Sequence, residues 1–303
     1  MEIPQPASVA GLALALLAAF AFASQYVCVR IATENGRVDD VVFVSLGCNV
    51  ALIVPATVVL YAPTFGLTPV SLLAFAGAGL TGSLLARLCM FQSVDAIGAS
   101  RTSPVVSTNV LFATLLAVLL LGERLTPIHS AGIVLLVGGA AVISYETATD
   151  DPDRSVREVG VSLALPFLAA GFLGVEPILL SIGFAEGTPV LVSFAVKVLV
   201  ATAGFLAYLR FRGAVPTTEL LEGPERRWYL GAGVASTVGI GAYLAALSIA
   251  PVVYVVPFLQ TAPLIVVVLS ALFLPRRLER VTPRLVAAAT VVVGGAVVVS
   301  LSG

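Results

Sequence analysis

The chain has 303 residues, of which 59% are hydrophobic and 11% charged, and its formal net charge is −1. A soluble domain carries about 25% charged residues. With a mean hydropathy of +1.07, this composition excludes a water-soluble fold and makes lipid the solvent.

A spanning helix needs about 20 mostly apolar residues, so 303 residues hold ten such helices only if the connections are short. Ten apolar segments follow one another at 7–31, 41–61, 70–94, 97–121, 127–145, 159–182, 188–209, 229–249, 252–274 and 282–302. The first exceeds the apolar stretch of a signal peptide and has no Lys or Arg before it, so it reads as a span. Polar punctuation separates the rest: ENGRVDD from Glu34, YAPTFGLTP from Tyr61, DAIGAS from Asp95 and GERLTP from Gly122. The long charged connection ETATDDPDRSVRE starts at Glu146, and FAEGTP, RFRGAVPTTELLEGPERR and LPRRLERVTP mark the second half. A membrane β-barrel would alternate with period two over about ten residues per strand, whereas these runs are longer and apolar throughout. The three cysteines, Cys28, Cys48 and Cys89, all fall within spans and read as small packing residues rather than a disulfide framework.

One stretch occurs twice. Glu123 to Ser144 reads ERLTPIHSAGIVLLVGGAAVIS and Glu279 to Ser300 reads ERVTPRLVAAATVVVGGAVVVS, with 11 of 22 positions identical at an offset of 156 residues. Five spans per copy is an odd number, so the second copy must enter the bilayer upside down. Inverted repeats with a site between them are a common secondary-transporter architecture. The expected fold is therefore all-α, ten transmembrane helices in two inverted five-helix repeats, residues 1–148 and 149–303.

Five spans per half, LLLGERLTP at Leu119 to Pro127 and a following span ending VGGAAVIS resemble the EamA unit of the drug/metabolite transporter superfamily. AFASQYVCVRIA, from Ala21, is similar to that family's first-span motif, with Ser24, Gln25 and Tyr26 at its Ser, Asn and Phe positions. The motif's tryptophan is absent, and the arginine common in the second span is replaced by Asn49 or a neighbour. The resemblance implies a metabolite transporter, export as its direction and both termini in the cytoplasm, but no substrate identity.

Polar groups at membrane depth carry the functional expectations, because a charge at a helix centre costs about 2.5–3.5 kcal/mol on the insertion scale. Glu176 stands mid-span directly before Pro177, where a lost backbone donor is expected to kink or unwind the helix around a proton- or cation-binding carboxylate. Burial in apolar surroundings favours the neutral form of a carboxyl group, which makes a coupling role chemically reasonable. Lys197 is the only lysine, and Ser193-x-x-x-Lys197 aligns with Ser45-x-x-x-Asn49, each pair on one helical face. Substrate contact or gating is one expectation for Lys197, and a structural salt bridge to Glu176 is the other. Arg87 falls in the third span, where it either faces a cavity or snorkels. Arg30 and Arg101 stand near span ends as interfacial anchors. Gln25, Tyr26, Asn109, Tyr243, Tyr254 and Gln260 can line a hydrophilic path or bond one helix to another. Pro104, Pro166, Pro177, Pro257 and Pro263 suggest bending helices, and Gly138-Gly139 and Gly294-Gly295 suggest close helix packing.

The lone His129 has no His or Cys at ligand spacing and no phosphate-cradling loop is present, so no metal, cofactor or built-in ATPase is expected. The resulting expectation is a cell-membrane secondary transporter of a small polar metabolite such as an amino acid, working by alternating access. Its partners would be the substrate, the bilayer, protons as a candidate coupling ion and a second copy in a homodimer, with no nucleic acid. A non-transporting scaffold and an intramembrane lipid enzyme are the rivals. The Lys/Arg-rich connections place both termini outside by the positive-inside rule, opposite to what the resemblance implies.

Overall fold

The computed structural model describes residues 6–112, 115–116, 127–149, 156–213, 223–249, 255, 258–275, 278 and 281–301. The described residues are mainly helical, joined by short turns and connections, and include no strand. In chain order the helices are α1 (Pro6–Ala32), α2 (Val38–Tyr61), α3 (Pro69–Ile97), α4 (Ala99–Val106), α5 (Pro127–Thr149), α6 (Val156–Ala185), α7 (Val190–Arg212), α8 (Arg226–Ile249), α9 (Ala262–Phe273) and α10 (Pro283–Leu301). Six of them, α1, α2, α3, α6, α7 and α8, are long and apolar enough to cross a membrane. Shorter apolar helices lie within α5, α9 and α10.

Helix starts follow local chemistry. Pro69 occupies the first turn of α3, and Thr68 and Ser71 bond reciprocally as a capping box. The outer surface is strongly apolar, with Val59, Leu73 and Leu272 largely exposed, and Ser45, Asn49, Ser193 and Lys197 are buried within an otherwise hydrophobic interior. An apolar exterior is what a lipid solvent rewards, and the polar groups are drawn inside because they need partners within the protein.

Counterpart helices of the two halves pack antiparallel, and this establishes the inverted relation. At one end of α2, Asp39 meets Arg212, the last residue of α7, at 3.8 Å. Near the opposite end Thr57 donates to the carbonyl of Leu191, at the start of α7, at 3.1 Å. The α5–α10 pair repeats the arrangement: a Cβ on Gly139 would lie 3.1 Å from Ala288 O and Val292 N, and one on Gly295 would lie 2.7 Å from Leu136 N and 2.8 Å from Gly132 O. Residues 132, 136 and 139 map onto 288, 292 and 295 at the repeat offset of 156, so the contact is its own mirror across a pseudo-two-fold axis. The expected close packing thus belongs to the second glycine of each pair. Gly138 and Gly294 have nothing within 4 Å of a Cβ, because they face away from the seam.

Three local features depart from the expectation. Rather than unwinding around Glu176, α6 continues as one helix through both Pro166 and Pro177. The span expected over 70–94 contains a π-helical stretch, Gly79–Ala86, each turn of which takes in one residue more than an α turn. The spans expected over 97–121 and 252–274 are interrupted at Ser107–Thr108 and at Gln260–Thr261. These breaks are counterparts: Thr108 Oγ1 donates to Val105 O at 2.7 Å, and Thr261 Oγ1 donates to Phe258 O at 2.6 Å. In each the threonine amide also bonds that carbonyl, at 3.0 and 3.1 Å. A hydroxyl that takes a backbone carbonyl three residues back competes with the helical ladder and stabilises a tight turn.

Candidate functional site

Polar residues converge where α2 and α3 of the first repeat meet α6, α7 and α8 of the second. Lys197 Nζ donates to Glu176 Oε1 in a buried ion pair, with the residues only 1% and 8% exposed. The π-helical stretch of α3 is pressed against this pair. A Cβ on Gly79 would lie 2.6 Å from Lys197 O, and a Cβ on Gly82 would collide with the Glu176 carboxylate. Glycine at these positions lets a backbone take the place a side chain would fill, a role π-helical insertions and glycines share at functional sites.

A second cluster stands beside the first. The Arg87 guanidinium, 5% exposed, donates from Nη2 to Ser236 Oγ at 3.0 Å and from Nη1 to Asn49 Oδ1 at 3.4 Å. Ser236 Oγ donates in turn to Asn49 Oδ1 at 3.4 Å, while Asn49 Nδ2 donates to Thr237 Oγ1 at 3.0 Å. Arg87 lies within Coulombic range of Glu176, so the two clusters are neighbours. Arg87 therefore does not snorkel: its side chain turns inward, where it finds hydrogen-bond acceptors that lipid does not supply.

The aligned pairs Ser45/Asn49 and Ser193/Lys197 are all buried, on the adjacent helices α2 and α7. They serve different partners, since Asn49 joins the Arg87 cluster and Lys197 joins Glu176. Ser193 bonds Val190 O at 2.7 Å, whereas Ser45 Oγ has no hydrogen-bond partner among the described residues. Gln25 is 3% exposed and its Nε2 likewise has none. Tyr26 is buried in the packed core of α1, α2 and α8, with its hydroxyl bonded to Ser103. Tyr243 packs against the buried cluster of Ala15, Ala246 and Val255. Gln260 Nε2 reaches Asn109 Oδ1 at 3.4 Å, which links the two broken segments to each other.

Other expectations resolve differently. Arg101 is 7% exposed and so is buried rather than set at an interface, with Ser100, Thr102 and Ser103 buried around it. Arg30 satisfies backbone carbonyls, donating to Leu278 O at 2.7 Å and Asp95 O at 3.0 Å. Cys28 and Cys48 are free and pack against Gly231 and Gly233 of α8, and Cys89 is also free. Tyr254, Pro257, residues 123–126 and 279–280 of the repeated stretch, and the Arg154 and 214–222 connections lie outside the described residues. Ser236, Thr237, Gly79 and Gly82 were not singled out from sequence. The shared Pro-x-x-x-Thr spacing at Pro104/Thr108 and Pro257/Thr261 was the available signal for the paired breaks.

A solved crystal structure superposes on this chain with a TM-score of 0.65 at 19% sequence identity, covering 98% of this chain and 99% of the other, so the two share a fold. No curated protein matches the sequence. The profile of the EamA-like transporter family matches twice, over residues 9–145 and 159–301. Duplicated match, apolar exterior and antiparallel counterpart helices agree, and the chain is a multi-pass integral membrane protein belonging to the EamA-like transporter family, within the drug/metabolite transporter superfamily.

Proposed function

We propose that the protein is a secondary transporter that moves a small polar metabolite, an amino acid or related compound, across the cell membrane. In this proposal ten crossings, five from each of the repeats 1–148 and 149–303, enclose a site that opens alternately to the two sides. One observation supports it most: the buried Glu176–Lys197 pair stands between the inverted halves, beside Arg87 and in reach of its charge. Such a pair is a two-state element. When Glu176 takes a proton it ceases to hold Lys197, and the freed ammonium must find another partner or a substrate group, so protonation and occupancy become linked. Export is the direction that membership of this family favours. The paired breaks at Thr108 and Thr261 supply points at which one half can bend relative to the other.

The test is flux in proteoliposomes containing the purified chain, with a labelled amino-acid mixture as probe. Saturable uptake above protein-free vesicles is expected, accelerated by an imposed pH gradient. In Glu176→Gln the pH-driven component should vanish while counterflow persists. Saturable flux without any pH response in the wild type removes the coupling role; no flux at all removes the transporter. A static scaffold is the rival that the closed packing of Glu176, Lys197 and Arg87 favours, and it predicts the last outcome.

A further inference from the structure

We infer that the substrate carries a carboxylate and that Arg87 receives it, an inference that rests on the transporter proposed above. The first ground is charge. Among the described residues the buried ionisable groups at this junction are Glu176, Lys197 and Arg87, and the first two neutralise each other. The three therefore carry a net charge of +1, and Arg87 is hydrogen-bonded to the neutral oxygens of Ser236 and Asn49 rather than to a carboxylate. An ion taken from water without a counter-charge is costly to bury, and the cost falls when an anion arrives.

The second ground is geometry. A guanidinium has five N–H donors in a planar fork suited to carboxylate, and the two hydrogen bonds found for Arg87 use one N–H of each terminal nitrogen. Two further polar groups stand at the same depth. Phe22 packs on Gly239 and Cys28 on Gly231, so Gln25, midway between them on α1, lies level with the middle of that stretch of α8, at Ser236. Ser45 is one turn before Asn49 on α2, with its Cα against Gly233. Gln25 Nε2 and Ser45 Oγ are both buried without a partner. The spare groups around this point can all donate, Arg87 and Gln25 as N–H and Ser45 as O–H, so their natural occupant is an anionic acceptor. Its charge should be −1, since Glu176, Lys197 and Arg87 together leave a net +1 to be matched. A carboxylate meets that condition, whereas a phosphate monoester carries about −1.5 to −2 at pH 7.

The experiment uses the full-length protein in detergent, followed by flux in proteoliposomes. The probes are L-alanine, L-phenylalanine and lactate, each paired with its carboxamide, together with glycerol phosphate. Binding is read as a rise in melting temperature, which needs no variant. The acids should bind, and the carboxamides should bind roughly a hundredfold more weakly, because they leave a buried charge unmatched. Arg87→Gln, checked for a monodisperse elution profile, should lose the acid response, and Arg87→Lys should keep part of it. Equal binding of acid and amide, binding of glycerol phosphate alone, or an unchanged acid response in Arg87→Gln overturns the inference. A neutral or cationic solute with saturable flux leaves the transporter standing while the carboxylate site falls. Absence of flux for any solute ends both.

Discussion

Replacing Lys197 by Met tests the energetics of the central pair. Lys197 and Glu176 are 1% and 8% exposed, so the substitution leaves a carboxylate buried without its partner. Removing one member of a buried pair costs about 3–5 kcal/mol, mostly from the stranded charge. Arg87 lies within reach of the Glu176 field and compensates part of that loss, which places the cost near the lower end, about 3 kcal/mol. At about 2–4 °C per kcal/mol, the melting temperature should fall by about 6–12 °C. The double variant Glu176→Gln/Lys197→Met removes both charges, and exchange of a buried pair for neutral groups of similar volume is often near-neutral. Most of the lost stability should therefore return, so the double variant should be more stable than Lys197→Met by about 2 kcal/mol, a departure from additivity that the double-mutant cycle reads as coupling. The assay is a thermal melt of purified protein followed by size exclusion, run on wild type, both single variants and the double. A Lys197→Met variant as stable as wild type, or a double variant no better than Lys197→Met, would refute the account of a charge pair whose members offset each other's burial.

Two other predictions rest on the pseudo-symmetry. Gly139→Ala and Gly295→Ala should each destabilise the fold by about 1–3 kcal/mol through overpacking at the α5–α10 seam. Gly138→Ala and Gly294→Ala, with open space around a Cβ, should be neutral or slightly stabilising in the same melt, because alanine is the better helix former. Thr108→Val and Thr261→Val each delete a hydroxyl-to-carbonyl bond worth about 1 kcal/mol at the broken segments. Similar losses of stability in the two variants, with transport rate altered more than substrate affinity, would mark the breaks as hinges. A change in affinity alone would instead place them at the substrate.

Much of this protein is legible in the order of its residues. Apolar run length located the helices, since the bilayer sets a length that side-chain chemistry must match. The duplicated stretch and an odd span count implied inversion, and Asp39 beside Arg212 with Thr57 beside Leu191 is the geometry that follows. Glu176, Lys197 and Arg87 stood out for a similar reason, because charge at membrane depth needs a partner that lipid cannot provide.

What the sequence alone could not decide is which way those charges point and whom they meet. The i→i+5 stretch at Gly79–Ala86 shifts the register of everything after it, so a helical wheel drawn through α3 misplaces Arg87. Ser236 and Thr237 are ordinary small polar residues until α8 packs beside α2 and brings them to Asn49. Gly82 became meaningful only when α6 carried Glu176 against it. Helix identity is a local property of about 20 residues in lipid, and the sequence carries it. The pairing of Lys197 with Glu176, and of Arg87 with two neutral oxygens, is decided by packing between helices far apart in the chain, and only the tertiary structure holds that information.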